Sequence, residues 1–204
     1  MPTPWKPSPE VVRAFTARQA TLDLSYAAVG ATANVPPAGY VVDHTRAWVG
    51  AGAAAFEAGK AALARWDHFR LGWVEAVPDG GGIRVGGVVA VVARTFGAWW
   101  LNACRIVYLV DEEHGPVRRW GFAYGTLPGH AETGEERFLI EWDRGTGDVW
   151  YDVLAFSRPR HLLARLGYPV ARRFQKRFAR DSVAAVTRAV AASVPPPPPT
   201  AHRQ

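Results

Sequence analysis

From Phe69 to Phe156 apolar residues recur at roughly every second position, broken only by short clusters of glycine, proline and charge. Period two sends alternate side chains to opposite faces of a strand, and short polar links join strands that run antiparallel. The spacing predicts six strands: Arg70 to Val77, Ile83 to Thr95, Ala98 to Val110, Val117 to Thr126, Arg137 to Trp142 and Val149 to Phe156. The links carry turn chemistry, as in Pro78-Asp79-Gly80-Gly81-Gly82, Asp111 to Pro116 and Asp143 to Gly147. Cys104, Ile106, Tyr108 and Val110 are expected on one face of their strand, and Phe138, Ile140 and Trp142 on one face of theirs. Val149 to Phe156 is apolar on both faces, which implies cover on both sides or a closed curve.

The flanks read as helix. Ser8-Pro9-Glu10 is a helix start that runs to about Ala20. Tyr40-Val41-Val42 predicts a strand, and Ala51 to Trp66 a second helix with Phe56, Leu63 and Trp66 at helical spacing. Arg160 to Leu166 and, after Gly167-Tyr168-Pro169, Val170 to about Ala192 make a long C-terminal helical element. At about 100° per residue, Phe174, Phe178 and Ala185 share one side, and Arg172, Arg173, Lys176, Arg177 and Arg180 the other. Val183 and Val190 fall on the cationic side near the end, so a solvated face with a partner contact towards its C-terminus is expected. The fold class is α+β: an antiparallel meander sheet of six to seven strands with N-terminal helices and a long C-terminal helix packed across it. Residues 1–21 form an N-terminal extension, 22–192 one domain, and 193–204 a proline-rich tail.

The 204 residues suit one domain, and 49% hydrophobic against 21% charged residues suits a packed core. One cysteine, Cys104, excludes internal disulfides and multi-cysteine metal sites. No apolar run reaches the ~20 residues of a membrane span, so a cytoplasmic protein is the default expectation. Ten cations against one acid in residues 158–204 give a basic C-terminal element. The plain reading is a solvated helix face; the alternative is a surface for anionic lipid or nucleic acid. The face lacks interleaved aromatics for base stacking, so no sequence-specific nucleic-acid binding is expected.

Spaced motifs resemble one family. Gly121-Phe122-Ala123-Tyr124-Gly125-Thr126-Leu127-Pro128-Gly129-His130 followed by Glu132-Thr133-Gly134-Glu135-Glu136 is similar to the signature of uncharacterised protein family 0548, known from bacteria and plants. Tyr26 with Val29-Gly30-Ala31-Thr32, then Pro37-Ala38-Gly39-Tyr40, Trp66 and Ala155-Phe156-Ser157-Arg158-Pro159 agree in order. The resemblance covers about Leu22 to Val190 and brings no activity. The element order is similar to the helix-grip arrangement of START and Bet v 1 type, which implies a curved sheet wrapped round the last helix about a cavity.

The loop Leu127 to Glu136 gathers His130, Glu132, Glu135 and Glu136. His130 with Glu132 or Glu135 is a candidate acid/base pair, with Tyr124 as hydrogen-bond donor; a purely structural hairpin is the plain alternative. The spacing His-x-Glu-x-x-Glu offers three ligands, but no motif supplies a second histidine, and no metal or cofactor is expected. Cys104 reads as a small buried hydrophobe, and Ser157 as the cap of a helix begun by Pro159, with His161 only a weak hydrolase signal. His44, His68, His114 and His202 have no evident partners, and solvent exposure or ordinary hydrogen bonding is expected of each. Nine tryptophans either fill the core or line an aromatic cavity, with Trp73, Trp100, Tyr108, Trp120, Tyr124, Trp142, Trp150 and Tyr151 as the candidate lining. The expected function is binding of a small apolar or amphipathic molecule. The alternatives are an enzyme built on the same cavity and a basic-helix module for anionic partners.

Overall fold

A computed structural model describes residues 2–159 and 168–193. A two-residue strand β1 (Pro2–Thr3) precedes helix α1 (Pro9–Gln19). Ser8 caps α1 by accepting from the Val11 amide, as its sequence requires. Then follow β2 (Val41–Ala51), α2 (Gly52–Ala64), β3 (Val74–Pro78), β4 (Val88–Thr95), β5 (Ala98–Glu112), β6 (Val117–Thr126), β7 (Glu132–Asp143), β8 (Asp148–Pro159) and the long helix α3 (Tyr168–Ser193). A short 3-10 turn (Asp67–Phe69) follows α2.

The strands lie in the order β2-β8-β7-β6-β5-β4-β3, antiparallel throughout, with β1 added to β5. This is the expected meander, with the strand before the helices returning to the edge of the last. Its concave face holds α2 and α3 against Phe122, Phe138, Ile140 and Tyr151, the helix-grip arrangement. On the convex face Val12 of α1 packs on Ala90 and Val92. The two-sided apolarity of β4 thus reflects helices on both faces, whereas on β8 the convex cover is Tyr26 and Tyr40, packed on Phe156.

Four expectations change. A register shift between Ile106 and Tyr108 turns Tyr108 to the convex face, away from Cys104 and Ile106, because a bulge inserts one residue into the alternation. β7 begins at Glu132 rather than Arg137, so the supposed loop Leu127 to Glu136 is mostly strand. β8 runs through Pro159, so Ser157 is a strand residue and not a helix cap. Val190 is buried, because α2 packs beside α3 and covers part of the arc that the helical wheel assigns to solvent. The expected contact near the end of α3 therefore comes from this chain's own α2. The segment Arg160 to Leu166, His161, His202 and the proline-rich tail lie outside the described residues.

Candidate functional site

Alternation along β7 sorts its acids. Glu132, Gly134, Glu136, Phe138 and Ile140 face α3, whereas Thr133, Glu135, Arg137 and Glu141 face the convex side. Glu136 lies opposite Tyr124 of β6 and Ala155 of β8. The Tyr124 hydroxyl donates to Glu136 Oε2 at 2.8 Å. Beside it, Gln175 Nε2 of α3 donates to both Glu132 carboxylate oxygens at 2.9 Å and to Ser157 Oγ at 3.3 Å. Arg172 donates to both oxygens of Asp43, through NH2 at 2.6 Å, and to Gln175 Oε1 at 2.6 Å. The N-terminal half of α3 is thereby tied to β2, β7 and β8 by a chain of polar contacts.

Removal from water sets the protonation of this group. Burial pushes the Glu136 carboxyl up to about 7; the Tyr124 hydrogen bond pulls the other way, and the charges of Glu132 and Asp43 add to the rise. Burial also raises Glu132, against the hydrogen bonds of Gln175 and Ser157 and the Arg172 charge. Burial, then the neighbouring Glu136, holds the Tyr124 hydroxyl well above the ordinary phenol value, so it stays a donor. Cys104, buried on this face, has its thiol raised by burial and by Glu136, which leaves little thiolate for nucleophilic attack. A carboxyl near 7 holds both protonation states at neutral pH, which is the chemistry of a proton carrier or of a site waiting for a cation.

Apolar rings continue this face inward. Phe138 lies 5.3 Å from Tyr124, and Phe69 lies 4.8 Å from Phe178 of α3. Tyr151 is fully buried, its hydroxyl 2.7 Å from Ser182 Oγ. Among these rings sits His68, 0% exposed, stacked on Trp66 and 4.8 Å from Phe138, with neither ring nitrogen hydrogen-bonded among the described residues. Desolvation lowers it to about 3, so it is neutral. The expectation of an ordinary solvated or hydrogen-bonded His68 is corrected here.

The expected pair of His130 and Glu135 does not form. His130 Nδ1 accepts from the Glu132 amide at 3.0 Å, and burial lowers the ring to about 4. Glu135 is on the other face, where it accepts from Tyr26 Oη at 2.6 Å, from the Gly30 and Thr32 amides at 2.7 and 2.9 Å, and from the Thr32 hydroxyl. Its role is to hold the Tyr26 to Ala33 segment on the sheet. Much of the family-like signature is architectural in the same way. A Cβ on Gly125 would stand 2.1 Å from Tyr26 Oη, and one on Gly129 2.8 Å from Gln19 Oε1. His44, expected without a partner, lies 2.6 Å from the buried Asp152.

The aromatic set divides. Trp73, Trp120, Tyr124, Trp142 and Tyr151 pack on the concave core, while Trp100, beside Ala93 of β4, has its indole N–H turned to the Thr95 carbonyl. Tyr108 and Trp150 lie on the convex face, bonded to Thr32 Oγ1 and covered by the Arg46 guanidinium respectively. A groove of about 250 Å³ lies at the outer edge by β3, lined by Lys6, Trp73, Glu75, Val92 and Trp99, away from Glu136. Among the described residues no cluster of His, Cys, Asp and Glu has the geometry to hold a metal ion. A sequence reading that starts the strand at Arg137 misses Glu136 as a site residue and pairs Glu132 with His130 instead of Gln175. Extending the alternation of Phe138, Ile140 and Trp142 two steps back would have placed Glu136 and Gly134 on the same face.

The family model described as a domain of unknown function (DUF1990) matches residues 25–185. A UPF0548 protein of Dictyostelium discoideum is 41% identical over 157 residues, covering 73% of this chain and 72% of the relative. Another, from Deinococcus radiodurans, is 38% identical over 200 residues, covering 90% and 96%. Among solved structures, a hypothetical protein of Helicobacter pylori has a TM-score of 0.52 at 11% identity, covering 78% of this chain and 92% of that one. A protein of Thermus thermophilus gives 0.51 at 11%, covering 76% and 100%. At such identities the structural likeness bears on the fold alone.

Proposed function

The chain belongs to the DUF1990 family, a domain of unknown function, and we propose from its own geometry that its concave face binds a small molecule with a cationic head and an apolar body. The observation that carries this is Glu136. Among the described residues its carboxyl has one hydrogen-bond donor, Tyr124, and two carboxylate neighbours, Glu132 and Asp43, and no described cation is among the groups that set its charge. Arg172 is committed to Asp43. A ligand ammonium beside Glu136 would restore the ionised carboxylate and gain a charge-assisted hydrogen bond. Phe69 and Phe138 lie next to it buried in the core, with half-buried Phe178 packed on them, so the body would enter by displacing the packing at Phe178.

Calorimetry with a series of arylalkylamines and their isosteric neutral alcohols tests this. Amines should bind at least about tenfold more tightly than the alcohols, and Glu136→Gln should abolish the difference. Near pH 7 amine binding should also release protons, seen as a heat that varies with the buffer, because the cation favours the ionised carboxyl. Equal affinity for amine and alcohol, or a preference that survives Glu136→Gln, would remove the proposal.

A second reading uses the same groups for catalysis. A carboxyl near 7 hydrogen-bonded to a neutral phenol can move a proton at a bound substrate, with Glu136 taking the part first expected of Glu135 or His130. It predicts a pH profile with an inflection near 7 that Glu136→Gln erases and His130→Ala leaves in place.

A further inference from the structure

The β4–β5 hairpin turns on Phe96-Gly97, with Thr95 opposite Ala98. Phe96 has φ 54° and is 69% exposed. Two-residue hairpin turns favour Asn, Asp or Gly at that left-handed position, and a phenylalanine there is served neither by its backbone nor by burial. Its ring lies 5.2 Å from Phe174, so the tip sits beside the N-terminal half of α3. Along that half Arg173, Lys176, Arg177 and Arg180 are exposed, with one acid among them, Asp181. β1 pairs Pro2 with Trp100 and Thr3 with Trp99, so the chain runs toward the same tip and brings Trp5, 81% exposed, to that end.

We propose that this end of the molecule docks on an anionic lipid bilayer. Phe96 and Trp5 enter the interface, and the cations of α3 face the headgroups. Exposed aromatics flanked by clustered basic residues combine the two attractions that hold a protein on such a surface, apolar insertion and surface charge. No helix among the described residues is long and apolar enough to cross a membrane, so the contact is peripheral. Nucleic acid suits the surface less well, because the aromatics nearest the cations are already covered: Arg177 lies over Trp73 and Arg94 over Trp99. The proposal stands apart from ligand binding at Glu136.

Flotation of the full chain with phosphatidylcholine vesicles containing about 30% phosphatidylserine, against pure phosphatidylcholine, is the test. The chain should float with the anionic vesicles alone and be released by about 0.5 M salt, where surface charge is screened. The double variant Arg173→Glu with Lys176→Glu should lose on the order of a hundredfold in partitioning. Phe96→Asn should lose on the order of tenfold while its thermal midpoint stays level or rises, since asparagine suits the left-handed turn. That rise separates lost docking from lost folding. The proposal is overturned by absence of flotation, by equal partition into neutral vesicles, or by undiminished binding of Phe96→Asn. Displacement from the vesicles by an equal concentration of duplex DNA would likewise overturn it by assigning the cations to nucleic acid.

Discussion

Glu135 and Glu136 are adjacent in sequence and stand on opposite faces of β7, where carboxylates meet opposite treatment. On the convex face each buried carboxylate is matched. Glu135 has Tyr26, Gly30 and Thr32, Glu141 has Arg46 and Arg119, and Asp152 has Arg137 and His44. On the concave face, among the described residues, Glu136 has a single phenol, and Glu132 a neutral amide, a serine hydroxyl and the Arg172 charge nearby. A matched buried charge is architecture; an unmatched one is a cost that the fold carries, and such costs concentrate where a protein works.

The largest expected effect breaks the matched side. Glu135→Ala removes the acceptor of four donors, most of them buried, and should cost about 3 to 5 kcal/mol by urea unfolding. A loss below about 1 kcal/mol would mean that the convex network is not structural.

Glu136→Gln should act in the opposite direction. Its folded pKa, about 7, lies above an unfolded value of about 4.3, so the native state binds more protons between them and stability falls as pH rises through that window. At pH 8 the variant should gain at most about 4 kcal/mol, a gain that fades by about pH 4. Destabilisation at pH 8 would show that Glu136 is as well matched as Glu135.

His68→Phe sharpens the comparison by a smaller amount. Here the folded value, about 3, lies below an unfolded value of about 6.5, so the unfolded chain binds more protons and acid destabilises the protein. At pH 5 the variant should be more stable by about 2 kcal/mol, with no pH-linked gain at pH 8. Between about pH 4.5 and 6.5 the two groups oppose each other, so the parent chain should show a shallow profile there and each single variant should expose the slope of the other. Thermal unfolding across that range reads both.

Period-two alternation, turn clusters and helical spacing are local properties, and they placed the meander of β3 to β8 and the helices, while the pairing of β2 with β8 came only from the structure. β6 falls on Val117–Thr126, as its own residues indicate, and α1 starts at the Ser8 cap. The spaced glycines and Tyr26 likewise marked the family, because close backbone approaches such as Gly125 under Tyr26 leave a residue-type signature. The site was another matter. One bulge at Val107 reversed the face of Tyr108, and five residues added to the front of β7 moved Glu136 from a loop to the core face. The protonation of Glu136 and His68 then depends on how far α3, α2 and the 3-10 turn exclude water, and on which charges stand across the sheet. Desolvation and cross-strand charge act between residues distant in the chain, so only the packed structure decided which carboxylate is held by many donors and which, among the described residues, by one.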